Sequence, residues 1–146
     1  FNFKEIDLSD NTGQVEDVKF NNTGSRMFVI GGLKQKINEY SLNPAFDITT
    51  ASFTGKFFDL TFQSTSVGSF TFNNDGTRLF VLGAFGNPFI FEYVLGTAFD
   101  LTTAVFVTSF DVSSEDTEPQ DIAFNNTFTR LFMVGRQNGL IYEYRL

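Results

Sequence analysis

Three arginines and three glutamates recur at matching places along this chain: Arg26, Arg78 and Arg130, then Glu39, Glu92 and Glu143. A ring of equivalent charged sites would suit an anionic or sugar ligand. Ion pairs that hold repeated units together are the simpler use, because a residue needed in every unit serves the geometry of the unit. A denser acidic stretch runs from Asp111 to Asp121. Asp116, Glu118 and Asp121 are its candidate calcium ligands, although charge runs more often only solvate a loop. Asn73–Thr77 lacks the alternating ligands and closing Glu of a calcium loop. The chain has no His and no Cys. The commonest general base, the thiolate nucleophile and the zinc-thiolate ligands are therefore missing together. Paired carboxylates could still work as acid and base, but no complete metal or catalytic set stands out. No metal, no cofactor and no enzyme activity are the expectation.

These side chains sit in a chain of 146 residues with 42% hydrophobic residues, 21 Phe and no Trp. That length can bury a real core. Phe favours strands and flat, two-sided cores. No apolar run approaches the about 20 residues of a membrane helix. The net charge of −7 repels nucleic acid phosphates and anionic lipid, so neither is an expected partner. The chain opens with Phe1 and shows no leader, which fits a removed leader or a trimmed chain. An acidic chain without Cys fits an extracellular or cell-surface location.

A repeat organises the chain. Phe20, Phe72 and Phe124 lie 52 and 52 residues apart, each followed by Asn-Asn and a turn. Arg-Met-Phe-Val-Ile-Gly, Arg-Leu-Phe-Val-Leu-Gly and Arg-Leu-Phe-Met-Val-Gly come next, then Glu39-Tyr40, Glu92-Tyr93 and Glu143-Tyr144. Ala45–Ala51 matches Ala98–Ala104. Asn-Asn-Thr-Gly and Asn-Asn-Asp-Gly are tight-turn chemistry, which also accounts for the glycosylation-type sequences at Asn21 and Asn125. Each repeat reads as four strands: 15–20, 26–31, 37–42 and 52–60 in the first. No segment keeps a 3.6-residue apolar period, so no long helix is expected. The second strands are apolar at consecutive positions, which predicts burial of Phe28, Val29, Phe80, Val81, Phe132 and Val134 between stacked sheets.

Four antiparallel strands per repeat of this length is the arithmetic of a β-propeller. The Phe72–Val81 motif and the following Glu92-Tyr93 resemble repeats of the broad YVTN/NHL-like and WD-repeat-like propeller superfamily. They are most similar to blades found in tandem in bacterial surface and secreted proteins. The Gly-His and Trp-Asp signatures of true WD repeats are absent. The resemblance implies an all-β fold and leaves function open, because propellers host many unrelated activities.

The expected organisation is one domain of three four-stranded blades: an orphan outer strand and loop over 1–14, blade 1 over 15–66, blade 2 over 67–118 and an incomplete blade 3 over 119–146. Ile6-Asp7-Leu8 is in register with Phe58-Asp59-Leu60 and Phe110-Asp111-Val112, whereas blade 3 stops after a third strand. Two copies would then close a six-bladed homodimer, with Phe1, Phe3, Ile6 and Leu8 meeting Ile141, Tyr142, Tyr144 and Leu146 of the other copy. A fragment of a longer propeller would show the same cut. The loops between second and third strands vary among copies. They supply the candidate ligand-binding residues Lys34, Gln35, Phe85, Asn87, Arg136, Gln137 and Asn138. The leading expectation is a non-catalytic binding or assembly module, lectin-like or adhesive, for a carbohydrate or protein ligand. The alternatives are a purely structural repeat of a larger surface protein, or a propeller enzyme using carboxylates.

Overall fold

A computed structural model describes residues 2–63 and 66–146. Three antiparallel sheets follow one another along the chain. Blade 1 has the order β1 (Val15–Phe20), β2 (Arg26–Gly31), β3 (Lys36–Ser41), β4 (Ser52–Asp59). Blade 2 repeats it with β5 (Val67–Phe72), β6 (Arg78–Gly83), β7 (Phe89–Leu95) and β8 (Ala104–Asp111). Blade 3 has only β9 (Pro119–Phe124), β10 (Arg130–Gly135) and β11 (Ile141–Arg145). The strands β1, β5 and β9 are neighbours across blades, so they form the inner rim. Among the described residues the helical elements are short: α1 (Ser9–Thr12) and single 3-10 turns at Ile48–Thr50 and Leu101–Thr103. Each 3-10 turn is started by an Asp, Asp47 or Asp100, whose side chain accepts from the backbone N–H two residues on.

The core lies between the blades. Phe28, Ile30 and Ile37 of blade 1 pack on Leu79, Val81 and Tyr93 of blade 2. Phe80, Leu82 and Ile90 on the other face of blade 2 pack on Leu131 and Met133 of blade 3. Burial on both faces makes β2 and β6 continuously apolar. Strand β10 departs from the expectation. Its Phe132 is half-buried and Val134 is 40% exposed, because the face that both occupy has no blade beyond it.

Tight turns join first and second strands. Gly24 and Gly76 have φ of 69° and 72°, and an added Cβ at either would meet the ring of Phe46 or Phe99 at 2.2 and 2.3 Å. Both positive φ and close approach therefore require glycine. Blade 3 has Phe128 in this place, also at positive φ (57°).

The expected N-terminal strand is not formed: residues 2–8 carry no strand pairing. A lone strand has no neighbour to take its backbone hydrogen bonds, and among the described residues none pairs with it. The segment nevertheless lies where an outer strand lies. Lys4 pairs with Asp47 at 2.7 Å as Lys56 of β4 pairs with Asp100 at 2.8 Å. Asp7 accepts from the Ser9 N–H as Asp59 accepts from Thr61 and Asp111 from Ser113. Leu8 packs on Met27, Val29, Tyr40 and Leu42 of blade 1.

Candidate functional site

Each inner strand starts with a bulge, at Val15/Asp17, Val67/Ser69 and opposite Val134/Gly135. A bulge re-aims the side chains beside it. Here Asp17, Ser69 and Asp121, spaced by 52, are brought together across three blades. The Ser69 hydroxyl lies 2.9 Å from Asp17 Oδ2 and 2.6 Å from Asp121 Oδ1, and Ser69 is 2% exposed. Asp17 is held further by the N–H groups of Val18 (2.7 Å) and Phe70 (3.2 Å) and by Lys19 Nζ at 2.8 Å. Asp121 Oδ1 also accepts from the Ile122 N–H at 2.8 Å. Its Oδ2 has no hydrogen-bond partner among the described residues, and Asp121 is exposed.

A hydroxyl has one hydrogen and serves one carboxylate at a time. The trio therefore has more acceptors than hydrogens, a surplus that suits a ligand rich in hydroxyl donors. It lies at the edge of a hollow of about 720 Å³, which Glu16, Gln120, Phe85 and Arg136 also line. Arg136 is the one cation among the described lining residues, and its guanidinium sits 5.4 Å from the centre of the Phe85 ring.

Two of the seven candidate ligand residues, Phe85 and Arg136, thus line the hollow, and the other five do not. Lys34 donates to the Asp10 carbonyl. Gln35 adopts φ 47°, and its carbonyl accepts from the Leu60 N–H. Asn87 donates to the Gln63 carbonyl at 2.8 Å. Gln137 pairs with Thr117, and Asn138 donates to the Glu115 carbonyl at 2.7 Å. These contacts fasten loops. The missed residues are Asp17 and Ser69; Asp121 is singled out in the sequence only as a candidate calcium ligand. Their 52-residue spacing was a signal, but Asp-Ser-Asp does not look like a repeated residue.

The acidic stretch 111–121 is largely exposed and its acids do not converge, but Asp116 is buried. Asp116 is 1% exposed and accepts from the N–H groups of Glu118 (2.8 Å), Gln137 (3.4 Å) and Asn138 (2.9 Å). Burial raises its pKa, but these three donors outweigh burial and hold the carboxyl below its ordinary value. Among the described residues no group of three acidic side chains is placed to hold a metal ion. The recurring arginines form ion pairs within blades: Arg78 with Glu92, Arg130 with Glu143 at 2.8 Å and, more loosely, Arg26 with Glu39 at 3.9 Å.

Of the expected closure residues, Phe1 lies outside the described residues, and Phe3 is 84% exposed. Ile6 is half-buried. Tyr142 and Tyr144 turn toward blade 2: the Tyr142 hydroxyl donates to the Glu115 carbonyl, and Tyr144 meets Phe110 edge-on at 5.4 Å. Leu146 lines a small apolar hollow with Phe80, Ile90 and Phe110. Ile141 is 72% exposed. Among the described residues no helix is long and apolar enough to cross a membrane.

No known protein family matches the chain, and no curated protein matches it. Solved structures do. A candidate 6-phosphogluconolactonase of Bacteroides uniformis superposes with a TM-score of 0.69 at 14% identity, over 90% of this chain and 36% of that one. The periplasmic gluconolactonase PpgL of Pseudomonas aeruginosa gives 0.66 at 18%, over 90% and 35%. The β-propeller domain of Cps50 (Swd1) from Myceliophteria thermophila gives 0.64 at 12%, over 90% and 40%. This chain spans about a third of the length of the two lactonase-type structures. Their presence among the neighbours stands against the expectation of a non-catalytic binding module. Identities this low show the fold alone: the chain is three blades of a β-propeller, the third of them lacking its outer strand.

Proposed function

We propose that this chain supplies part of the active site of a propeller hydrolase that opens lactones of uncharged, polyhydroxylated acids at the inner rim. The observation that carries the reading is the Asp17–Ser69–Asp121 trio. Ser69 and the Ile122 N–H hold one oxygen of Asp121, which lines the hollow, and leave the other without a partner among the described residues. Oδ2 takes a proton from water as the hydroxide adds to the lactone carbonyl carbon. The acyl bond to the ring oxygen then breaks, and the ring oxygen receives that proton. The product is the hydroxy acid. Arg136 offers positive charge to the developing oxyanion. Glu16, Asp17 and Asp121 against one arginine make an acidic rim, which disfavours phosphorylated substrates. The named activities of the gluconolactonase neighbours support the reaction class. The ring around the site is, on the same reading, a six-bladed homodimer.

Proton release from gluconolactone at constant pH tests the reading. The 146-residue chain should exceed the rate of buffer alone. Asp121→Asn should lower the excess by about two orders of magnitude, the contribution of a positioned base, with an unchanged melting curve. A rate equal to that of buffer, or full activity in Asp121→Asn, would overturn it.

A further inference from the structure

We infer that Phe85 is a positioning residue for Arg136: its ring, carried on blade 2, holds the guanidinium of blade 3 over the hollow of the inner rim. This deepens the hydrolase reading and rests on it for its kinetic consequence, whereas the contact itself does not depend on that reading.

Both residues break the repeat. Gly31-Gly32-Leu33, Gly83-Ala84-Phe85 and Gly135-Arg136-Gln137 are the corresponding ends of the three second strands. Arg136 stands where the other blades have Gly32 and Ala84, and Phe85 stands where they have Leu33 and Gln137. A residue shared by all blades serves blade geometry, as the Arg78–Glu92 and Arg130–Glu143 pairs do. Phe85 and Arg136 are two departures that meet across one blade junction, in loops that line the hollow. Variation on a repeated scaffold is where a site is built.

Arg136 also differs from the other arginines in its company. Arg26, Arg78, Arg130 and Arg145 each meet a glutamate. Arg136 meets no carboxylate among the described residues, although Glu16, Asp17 and Asp121 line the same hollow. Its backbone is fixed. The Arg136 N–H donates to the Glu118 carbonyl at 3.1 Å, and the next two N–H groups donate to Asp116. The root of the side chain is therefore rigid, while the long stem keeps its rotamers. The Phe85 ring, with its centre 5.4 Å from the guanidinium carbon, is the contact that selects among them.

Phe85 is itself held in place. The Ala84 N–H donates to the Ser66 carbonyl at 2.9 Å, and the Asn87 N–H closes a turn on the Ala84 carbonyl at 2.9 Å, with Gly86 at φ 76°. The Asn87 side chain ties that turn to the Gln63 carbonyl at 2.8 Å. On this fastened turn Phe85 stays 51% exposed, so burial does not account for an aromatic ring there. Holding Arg136 does. A ring face attracts the guanidinium without consuming its N–H donors, which a carboxylate partner would occupy. The donors stay available to the carbonyl oxygen whose charge grows in the transition state.

Kinetics of gluconolactone opening separate this role from others. Arg136→Gln should lower kcat about a hundredfold, the worth of one oxyanion donor. Phe85→Leu should lower kcat about two- to fivefold with KM unchanged, the worth of one exposed cation–π contact, and Phe85→Trp should restore what Phe85→Leu loses. In the Arg136→Gln background Phe85→Leu should change nothing further, because the ring acts through the guanidinium. A raised KM in that background would mean that the ring touches substrate directly, and full activity in Phe85→Leu would mean that it does not act; either overturns the inference. The chain has no Trp, so Phe85→Trp also places a single indole whose fluorescence reads the contact without turnover. Arg136→Gln should make that indole more accessible to acrylamide, and Arg130→Gln, which removes the partner of Glu143 instead, should not. An indole indifferent to Arg136→Gln overturns the inference even where the wild-type chain is active. A responsive indole in a chain with no lactonase activity leaves the Phe85–Arg136 contact standing and overturns the hydrolase reading.

Discussion

The ring of Phe128 stacks on that of Phe124 with centroids 3.9 Å apart and planes at 26°, from a position where the other two blades have glycine. The aromatic filling of the turn is thus conserved in space while its donor moves from the connector to the turn itself. Phe128→Ala should cost about 2–3 kcal/mol, less than the about 3–5 kcal/mol of a fully buried ring because Phe128 is half-buried. Thermal melting should fall by roughly 5–10 °C. Gly76→Phe, the same exchange in blade 2, should be worse, because Phe99 already occupies the space. If calorimetry finds Gly76→Phe neutral, the two turns are not equivalent.

Ser69 stands between two carboxylates, so its removal should act through charge rather than volume. Ser69→Ala leaves Asp17 and Asp121 facing each other with no hydrogen between them. It is expected to lower stability by about 1–3 kcal/mol. Asp17→Asn in the same chain should recover part of the loss. Urea unfolding of the four members of this cycle measures the coupling, expected at about 0.5–3 kcal/mol. Additive losses would mean that the trio does not act as a unit.

Asp116 fastens the loop before β9 to the loop after β10 through three N–H donors. Asp116→Ala orphans buried donors and should destabilise by about 1–3 kcal/mol. A chelator should leave the melting temperature of the wild-type chain in place, because this carboxylate is already engaged by backbone. A chelator-induced fall of about 10 °C would return the acidic loop to consideration as a metal site.

Lys4 and Lys56, followed by the Thr49 and Thr102 hydroxyls, hold Asp47 and Asp100 down to about 2. A carboxyl lowered in the folded state stabilises it above the ordinary carboxyl pKa and loses that contribution as pH falls through the folded value. Stability should therefore drop between pH about 4 and about 2. Lys4→Met with Lys56→Met should flatten that limb while leaving the all-β circular dichroism unchanged. An unaltered acid limb would place the sensitivity elsewhere.

The blades themselves were legible in the sequence. Fifty-two-residue spacing, turn residues and continuous apolar second strands are local properties, and hydrogen bonding within a blade joins strands adjacent in the chain. The register of Ile6-Asp7-Leu8 with two outer strands was equally local, and Lys4 and Asp7 occupy the equivalent places. What sequence could not decide is anything that depends on which blade face has a neighbour. Val134 has the same apolar character as Ile30 and Leu82 but is exposed, because burial belongs to the pair of sheets and not to the strand. Residues 2–8 have strand-like alternation but no strand, because a strand exists only against another. The rim site has the same origin: Asp17, Ser69 and Asp121 are 52 residues apart and unremarkable singly. Only the stacking of three inner strands, each bulged at its start, brings one hydroxyl between two carboxylates.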